Sequence, residues 1–430
     1  MMRHLYADGG LAGKTSPPYR HACMLTPRKQ ESQNRAAADL AATVAREVFD
    51  RHRPADRAVA NYFRDHRYLG SRDRRQLSET VFAMFRWWGW LNPSTPLTLP
   101  SPPRGESVAV LSPLPSGGED QGEGADWRAL LEAAAVFEQS PPANADWTKL
   151  LPAWTLAEIR CPVDKLIPWL QRRPPLWLRT QRTTPAAVVE ALQAAGLAAV
   201  PHERLPAALR VNQQIGNLFL LPVYEAGHVE IQDLASQAIG AVCAPRPGDH
   251  WWDACAGGGG KTLLLAETAG KVLATDIREK ALIEMRRRAK RAGFTNIASQ
   301  TWDGETGAPG TFDGVLVDAP CTGSGTWRRN PAARWSLTPE DLDAATHRQA
   351  KLLRAAAAGV KPGGVLVYAT CSLFDRENRQ IVEEFLCERP EFRLEPVTHP
   401  LTGAPTDGLV EIWPWDGDCD AMFAARMRRQ

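Results

Sequence analysis

The chain has 430 residues, 44% apolar and 23% charged, with a net charge of only +2. That composition excludes a wholly disordered or fibrous protein, and the length leaves room for roughly two to four domains. No run of about 18 apolar residues occurs and the N-terminus has no apolar core of a secretion signal, so no membrane span and a cytoplasmic location are expected. The eight cysteines are scattered with no C-x-x-C pair, which speaks against a zinc site and against a disulfide framework.

Charge is unevenly spread. Residues 1–91 hold 16 Lys/Arg against 9 Asp/Glu, a surplus that suits a phosphate-rich partner or, equally, a basic solvated helical surface. Residues 1–28 read as disordered. From Glu31 to Trp90 apolar residues recur at helical spacing: Leu40, Val44, Val48 and Phe49, then Leu77, Val81, Met84 and Phe85. In residues 93–126, 7 of 34 residues are Pro, 5 Gly and 5 Ser, which reads as a disordered insert. Helical pattern resumes at Trp127–Phe137 and Trp154–Ile159, so the insert interrupts a helical domain.

Residues 175–222 mix strand-like runs (Leu176–Arg179, Ala208–Val211, Leu218–Leu221) with a helix, Pro185–Ala195, closed by Gly196. Beyond residue 229, strand-like runs at Trp251–Asp253, Lys271–Asp276, Gly314–Asp318 and Gly364–Thr370 alternate with helical stretches. That alternation predicts a parallel sheet covered by helices on both faces.

The first of these strands ends in Asp253-Ala254-Cys255-Ala256 and runs into Gly257-Gly258-Gly259-Gly260-Lys261-Thr262 ahead of an apolar helix. A Gly-rich strand-to-helix turn lets a ligand approach the backbone closely. A P-loop would require Gly where Cys255 stands, and a dinucleotide fingerprint fails at Thr262. The remaining reading is S-adenosyl-L-methionine, whose ribose diol needs a carboxylate at the tip of the second strand. Asp276 ends that strand, 23 residues after Asp253, and Asp303 ends the next segment, beside the expected adenine.

Two cysteines stand just past the carboxyl ends of predicted parallel strands. Asp318-Ala319-Pro320-Cys321 follows one and Thr370-Cys371-Ser372 the other, at the edge where open α/β sheets bind ligands. Methylation at cytosine C5 calls for such a trio. A thiolate adds to C6 so that C5 becomes nucleophilic, a carboxyl group steadies the ring, and a base removes the C5 proton.

The blocks DACAGGGGKT, ATDIRE, WDG, VLVDAPCTGSGTWRRNPAARW and VYATCSLFDRENRQIVEEFL, with IQDLASQ upstream, resemble in order the Nop/Sun family of RNA 5-methylcytosine methyltransferases. The resemblance covers roughly residues 150–430. It implies Cys371 as nucleophile, Cys321 as helper in proton removal and product release, and Asp318 as a contact to the cytosine ring. It also implies a cofactor site made of Cys255, Ala256, Gly257, Gly258, Gly259, Gly260, Lys261, Asp276, Asp303 and Asp318. The family usually carries Ala-Pro at Gly257-Gly258 and an acid at Ala332. Leu69–Trp87 resembles the NusB-like domain of the Sun or RsmB type, which acts on small-subunit ribosomal RNA, and Leu176–Leu197 resembles the family's small RNA-binding module.

These readings predict a multidomain protein. Residues 29–150 form a helical NusB-like RNA-binding domain around the insert, residues 151–228 a small α+β RNA-binding module, and residues 229–430 a Rossmann-like class I methyltransferase domain. Arg328 and Arg329, beside the site, are expected to meet RNA phosphate. Arg286, Arg287, Arg288, Lys290 and Arg291 are expected to form a solvated helix face. The expected substrate is a single-stranded or loop cytosine of 16S ribosomal RNA, bound by a monomer. The same chemistry on tRNA, or a non-catalytic assembly factor, are the alternatives.

Overall fold

The structure, a computed structural model, describes residues 27–91, 126–142, 145–211 and 218–430. The expected disordered stretches 1–28 and 93–126 therefore lie outside the described residues, apart from Pro27 and Arg28, which open the first helix, and Asp126, whose carboxylate caps the helix Trp127–Gln139.

Helices Pro27–Phe49, Ala55–Asp65, Ser71–Leu91 and Trp127–Gln139 pack together at the N-terminal end. The i, i+4 series Leu40, Val44 and Val48 and the series Leu77, Val81, Met84 and Phe85 are buried, as their spacing demands. Phe49 is only half-buried and lies on Trp88 instead. The stretch expected as helix at Trp154–Ile159 is a short 3-10 turn, Ala153–Ala157, ahead of the helix Val163–Leu170.

Next comes a four-stranded antiparallel sheet of β1 (Leu176–Thr180), β2 (Ala199–Pro201), β3 (Ala208–Val211) and β4 (Val229–Ile231) in the order β2-β3-β1-β4. Helix Pro185–Ala194 packs on it, opened by the Thr184 hydroxyl. Leu218–Leu221, expected as a strand, is a 3-10 turn over Leu218–Leu220. Of that apolar run Leu218 reaches the core while Phe219 and Leu220 stay exposed, and Pro222 opens a short helix directly after it.

The C-terminal region is built on β5 (His250–Asp253), β6 (Lys271–Asp276), β7 (Ile297–Thr301), β8 (Phe312–Asp318), β9 (Val360–Thr370), β10 (Phe392–Leu394), a small β11/β12 pair (Val397–Thr398 and Pro405–Thr406), β13 (Leu409–Ile412) and β14 (Met422–Arg429). The main sheet runs β10-β14-β9-β8-β5-β6-β7, with β13 on β14. Strands β5 to β9 are parallel, but β14 lies antiparallel to β9, so the sheet is mixed rather than all-parallel. β13 and β14 are joined by a short connection without a crossover helix, and that pair is accordingly antiparallel.

Alternate residues of each strand feed opposite layers. Trp251, Leu316 and Val367 join the core under helices Leu234–Cys243 and Glu279–Arg291, while Trp252, Val315 and Tyr368 join the core under Pro339–Ala357 and Arg379–Glu388. A third core joins the N-terminal helices to the C-terminal region. Trp327, Ala332, Leu373, Phe374 and Ala421 are buried among Phe85, Trp87, Trp90 and Leu150, and Trp335 donates its indole N–H to the Phe85 carbonyl at 2.7 Å. Ala332 is fully buried there, so an acid at that position would enter apolar packing.

Phe374 is fully buried in this shared core, in contact with Trp154 and Trp327. Phe374→Ala is expected to lower the unfolding free energy by about 3–5 kcal/mol in a denaturant titration. A loss of under about 1 kcal/mol would mean that the two regions do not share a core.

Candidate active site

Every element of the site sits at the carboxyl edge of the parallel strands. A cavity of about 800 Å³ opens there, lined from the Asp253 turn, the tips of β6 and β8, and the segments carrying Cys321 and Cys371. Among the expected residues it is lined by Cys255, Ala256, Gly257, Gly258, Gly260, Lys261, Asp276, Asp303, Asp318, Cys321, Arg329 and Cys371.

The turn after β5 is tied to its neighbours by backbone. Ala254 N donates to Leu316 O at 2.9 Å, and Ala256 N donates to Thr275 O at 2.8 Å. Gly259 has φ +83°, and a Cβ there would stand 2.2 Å from Met285 Cγ, so neither the conformation nor the space tolerates a side chain. The chain carries glycine at 257 and 258, yet the turn is braced. Gly257 N donates to Asp276 Oδ2 at 2.9 Å, and Arg288 Nη1 donates to the Gly258 carbonyl at 2.5 Å.

Asp253 is fully buried. Its Oδ2 accepts from the Thr262 hydroxyl at 2.6 Å, its Oδ1 has no partner, and burial pushes its carboxyl up to about 7. Asp276 sits at the tip of β6 facing the turn. Burial alone would raise its carboxyl, but Arg278 and the N–H groups of Arg278 and Gly257 outweigh it and hold it below the usual range. The exposed Arg278 side chain bonds both Asp276 carboxylate oxygens. Asp303 uses Oδ1 to cap the turn through Glu305 N and Thr306 N, which lowers its carboxyl, while remaining on the cavity wall. The loop and the strand-tip carboxylate on the cavity wall fit a nucleoside with an amino-acid tail, whereas Asp253 lies fully buried behind that wall.

Deeper in, Lys261 Nζ donates to Asp318 Oδ2 at 2.8 Å. Cys321 Sγ and Cys371 Sγ, 50 residues apart in the chain, stand 3.4 Å from each other. The hydrogen bond with Cys371, then burial, push the Cys321 thiol well up. Burial likewise pushes up Cys255, which keeps it a neutral wall residue.

The two arginines after this segment part company. Arg329 lines the cavity and pairs with Asp420. Arg328 differs from the sequence expectation. Its side chain is fully buried, donating to Asp418 Oδ1 at 2.7 Å and to the Cys419 carbonyl at 2.9 Å, so no free guanidinium remains for a phosphate. The basic helix also divides: Arg286, Arg287 and Lys290 are exposed, whereas Arg288 and Arg291 are half-buried and both pair with the buried Glu230 of β4. Two acids escaped the sequence reading. Asp233, noticed only within IQDLASQ, caps the helix Leu234–Cys243 and accepts from Asp420 N at 3.1 Å. Burial, then the neighbouring Asp233, push the Asp420 carboxyl up to about 7. No local motif marks Asp420, because its partners Asp233 and Arg329 lie 187 and 91 residues away in the chain.

Residues 241–428 match the family model described as 16S rRNA methyltransferase RsmB/F, and residues 162–216 match the model of the RsmF/B-like ferredoxin-like domain. The chain is 33% identical over 300 residues to the ribosomal RNA small subunit methyltransferase B of Salmonella paratyphi C, covering 66% of this chain and 68% of that protein. Among solved structures, the protein titled PH0851 aligns over 92% of this chain and 99% of its own, with 24% identity and a TM-score of 0.70. NSun6 from Pyrococcus horikoshii, solved with SFG, aligns over 62% of this chain and 94% of its own, with 21% identity and a TM-score of 0.56. These two likenesses speak to the fold.

Asp276→Ala removes the carboxylate that braces Gly257 and lines the cavity. It is expected to weaken S-adenosylmethionine binding by roughly 1.5–3 kcal/mol in calorimetry, the usual worth of a charged hydrogen bond. Unchanged affinity would remove Asp276 from the cofactor site.

Proposed function

The chain belongs to the 16S rRNA methyltransferase RsmB/F family, and we propose that within it the protein methylates C5 of a cytosine through a covalent Cys371–C6 adduct. It is an S-adenosylmethionine-dependent ribosomal RNA methyltransferase. The observation that carries the finer reading is the 3.4 Å approach of two thiols beside the Lys261-paired Asp318, on the wall of one cavity.

When bound, S-adenosylmethionine supplies an electrophilic methyl group; Gly257 to Lys261, Asp276 and Asp303 would hold it. The work of this chain is then division of labour between sulfurs. Cys371 adds to C6, and the electron pair released into the ring makes C5 nucleophilic. Asp318, kept in place by Lys261, steadies the N3/N4 edge of the base. After methylation Cys321, as a thiolate that has given its own proton to solvent, takes the C5 proton, the C5–H pair re-forms the ring double bond, and Cys371 leaves as thiolate. The raised thiol of Cys321 makes its thiolate a strong proton acceptor once its own proton has left, which suits the role of base.

We read residues 29–150 as a NusB-like RNA-binding domain and residues 151–228 as a second RNA-binding module. The exposed Arg57, Arg64, Arg67 and Arg72 support the first assignment. Arg329 remains the candidate phosphate contact at the cavity mouth. We take the acting form to be a monomer.

Cys371→Ala is expected to abolish methylation and give no covalent complex. Cys321→Ala is expected to accumulate a protein–RNA adduct on denaturing gels with labelled 16S RNA, because attack survives while elimination stalls. Accumulation in Cys371→Ala instead would reverse the roles. Full activity in both variants would end the mechanism. Bisulfite mapping of ribosomal and transfer RNA from a deletion strain identifies the substrate. Loss of a methylated cytosine from tRNA and none from 16S RNA would overturn the assignment to the small subunit.

A further inference from the structure

Resting on that reading of the two thiols, we propose that Glu377 is the positioning residue that clamps the Cys321 and Cys371 segments together. Glu377 ends a 3-10 turn, Asp375–Glu377, six residues after Cys371, and its side chain is completely buried. No lysine or arginine among the described residues pairs with it. A buried carboxylate without a cation is tolerated only where several donors replace its water.

Those donors come from both cysteine segments. Thr322, next to Cys321, gives its backbone N–H to Oε1 at 2.8 Å and its hydroxyl to Oε2 at 2.6 Å. Ser372, next to Cys371, gives its hydroxyl to the same Oε2. Gln349, on the helix Pro339–Ala357 behind them, gives its amide N–H to Oε1 at 2.8 Å. The turn that carries Glu377 is itself held by the Tyr368 hydroxyl, which donates to the Glu377 carbonyl at 2.6 Å.

One side chain thus bonds the immediate neighbour of each thiol. β8 and β9 bring the two segments alongside, but the strands end at Asp318 and Thr370, before either sulfur. Beyond those ends no sheet ladder sets the spacing of the thiols. The segments bond each other through Gly325 N to the Cys371 carbonyl at 2.9 Å and Leu373 N to Ser324 Oγ at 2.8 Å, and Glu377 bonds the residue next to each thiol at once. Glu377 lies behind the thiols and is absent from the cavity wall, so it acts through Thr322 and Ser372 and not on the base.

The test uses the full chain and two readouts. Diamide oxidation, followed by mass spectrometry, measures how fast Cys321 and Cys371 form a disulfide; diamide takes up the two thiol hydrogens. Steady-state methylation of 16S RNA gives kcat and KM, with S-adenosylmethionine affinity as a check on the cofactor site. Glu377→Ala removes the shared acceptor of four donors and is expected to slow crosslinking and kcat by about ten-fold or more, with KM and cofactor affinity within about two-fold. Glu377→Gln keeps one acceptor oxygen and turns an amide toward two hydroxyls that can rotate to accept, so it is expected to recover most of both rates. Crosslinking at the wild-type rate in Glu377→Ala overturns the inference, as does a wild-type chain in which the two thiols do not crosslink. Should Glu377→Ala not fold, Thr322→Val decides: slower crosslinking supports the clamp and an unchanged rate overturns it. The crosslinking arm needs no methyl transfer, so a failure of the proposed C5 chemistry leaves it legible.

Discussion

The parallel pairing of β8 with β9 is the constraint on which the site rests. Its register sets Asp318 opposite Ala369, and the two strands then release their chains toward the same edge. Residues 50 apart in the chain emerge side by side, and Cys321 meets Cys371. β5 and β6, on the other flank of β8, deliver the Asp253 turn and Asp276 to that edge by the same rule. A parallel sheet concentrates its strand ends in this way at no extra structural cost, which is why ligand sites gather there.

The strands bring these residues to the edge but do not hold the segments beyond it. That task falls on contacts from outside the sheet. The segment after Cys321 passes through Trp327 and Ala332 into the core of the N-terminal helices, and the segment after Cys371 does so through Leu373 and Phe374. Asp375 N donates to the Glu158 carbonyl at 2.9 Å, which fastens the second segment again. The helical region therefore supports the site directly. It buries apolar side chains of both reactive segments, and displacing it would expose them to water. On the cofactor side, Arg288 joins Glu230 of the small antiparallel sheet to the Gly258 carbonyl, so that module also braces a turn it does not contain.

What could be read from the sequence is what local pattern encodes. Apolar runs ending in Asp253, Asp276, Asp318 and Thr370 mark strand ends, and a strand end is where a ligand residue belongs. Positive φ at Gly257 and Gly259 follows from a glycine-rich turn. Pairings across the chain left no such trace. Arg328 looked like a surface cation beside the site, yet it is buried against Asp418, 90 residues on. Arg288 and Arg291 share a basic run with Arg286 and Arg287, and only the distant Glu230 distinguishes the two pairs. Leu218–Leu221 shows the converse limit: an apolar run is strand-like by composition, but only Leu218 is fully buried, Leu221 reaches the core in part, and Phe219 and Leu220 stay exposed.

The consecutive Arg328 and Arg329 show how such long-range pairing shapes the site. Both meet acids from one short segment ahead of β14, Asp418 and Asp420, on opposite sides of the Cys419 peptide. Arg328 turns inward and anchors that segment by its carbonyl and carboxylate together. This fixes where β14 begins, and hence where Asp420 stands at the cavity wall. Asp420 and Asp233 are both buried; of the two arginines near them Arg329 pairs with Asp420, while Arg328 is already bound to Asp418, so their charges are not both matched by an ion pair. Burial and mutual repulsion favour a proton on the pair, as the raised Asp420 carboxyl shows. The inward arginine supplies the geometry and the outward one the charge, and exchanging their environments would forfeit both. A basic doublet in the sequence is thus two different structural devices, separated only by the side of the backbone on which each side chain leaves.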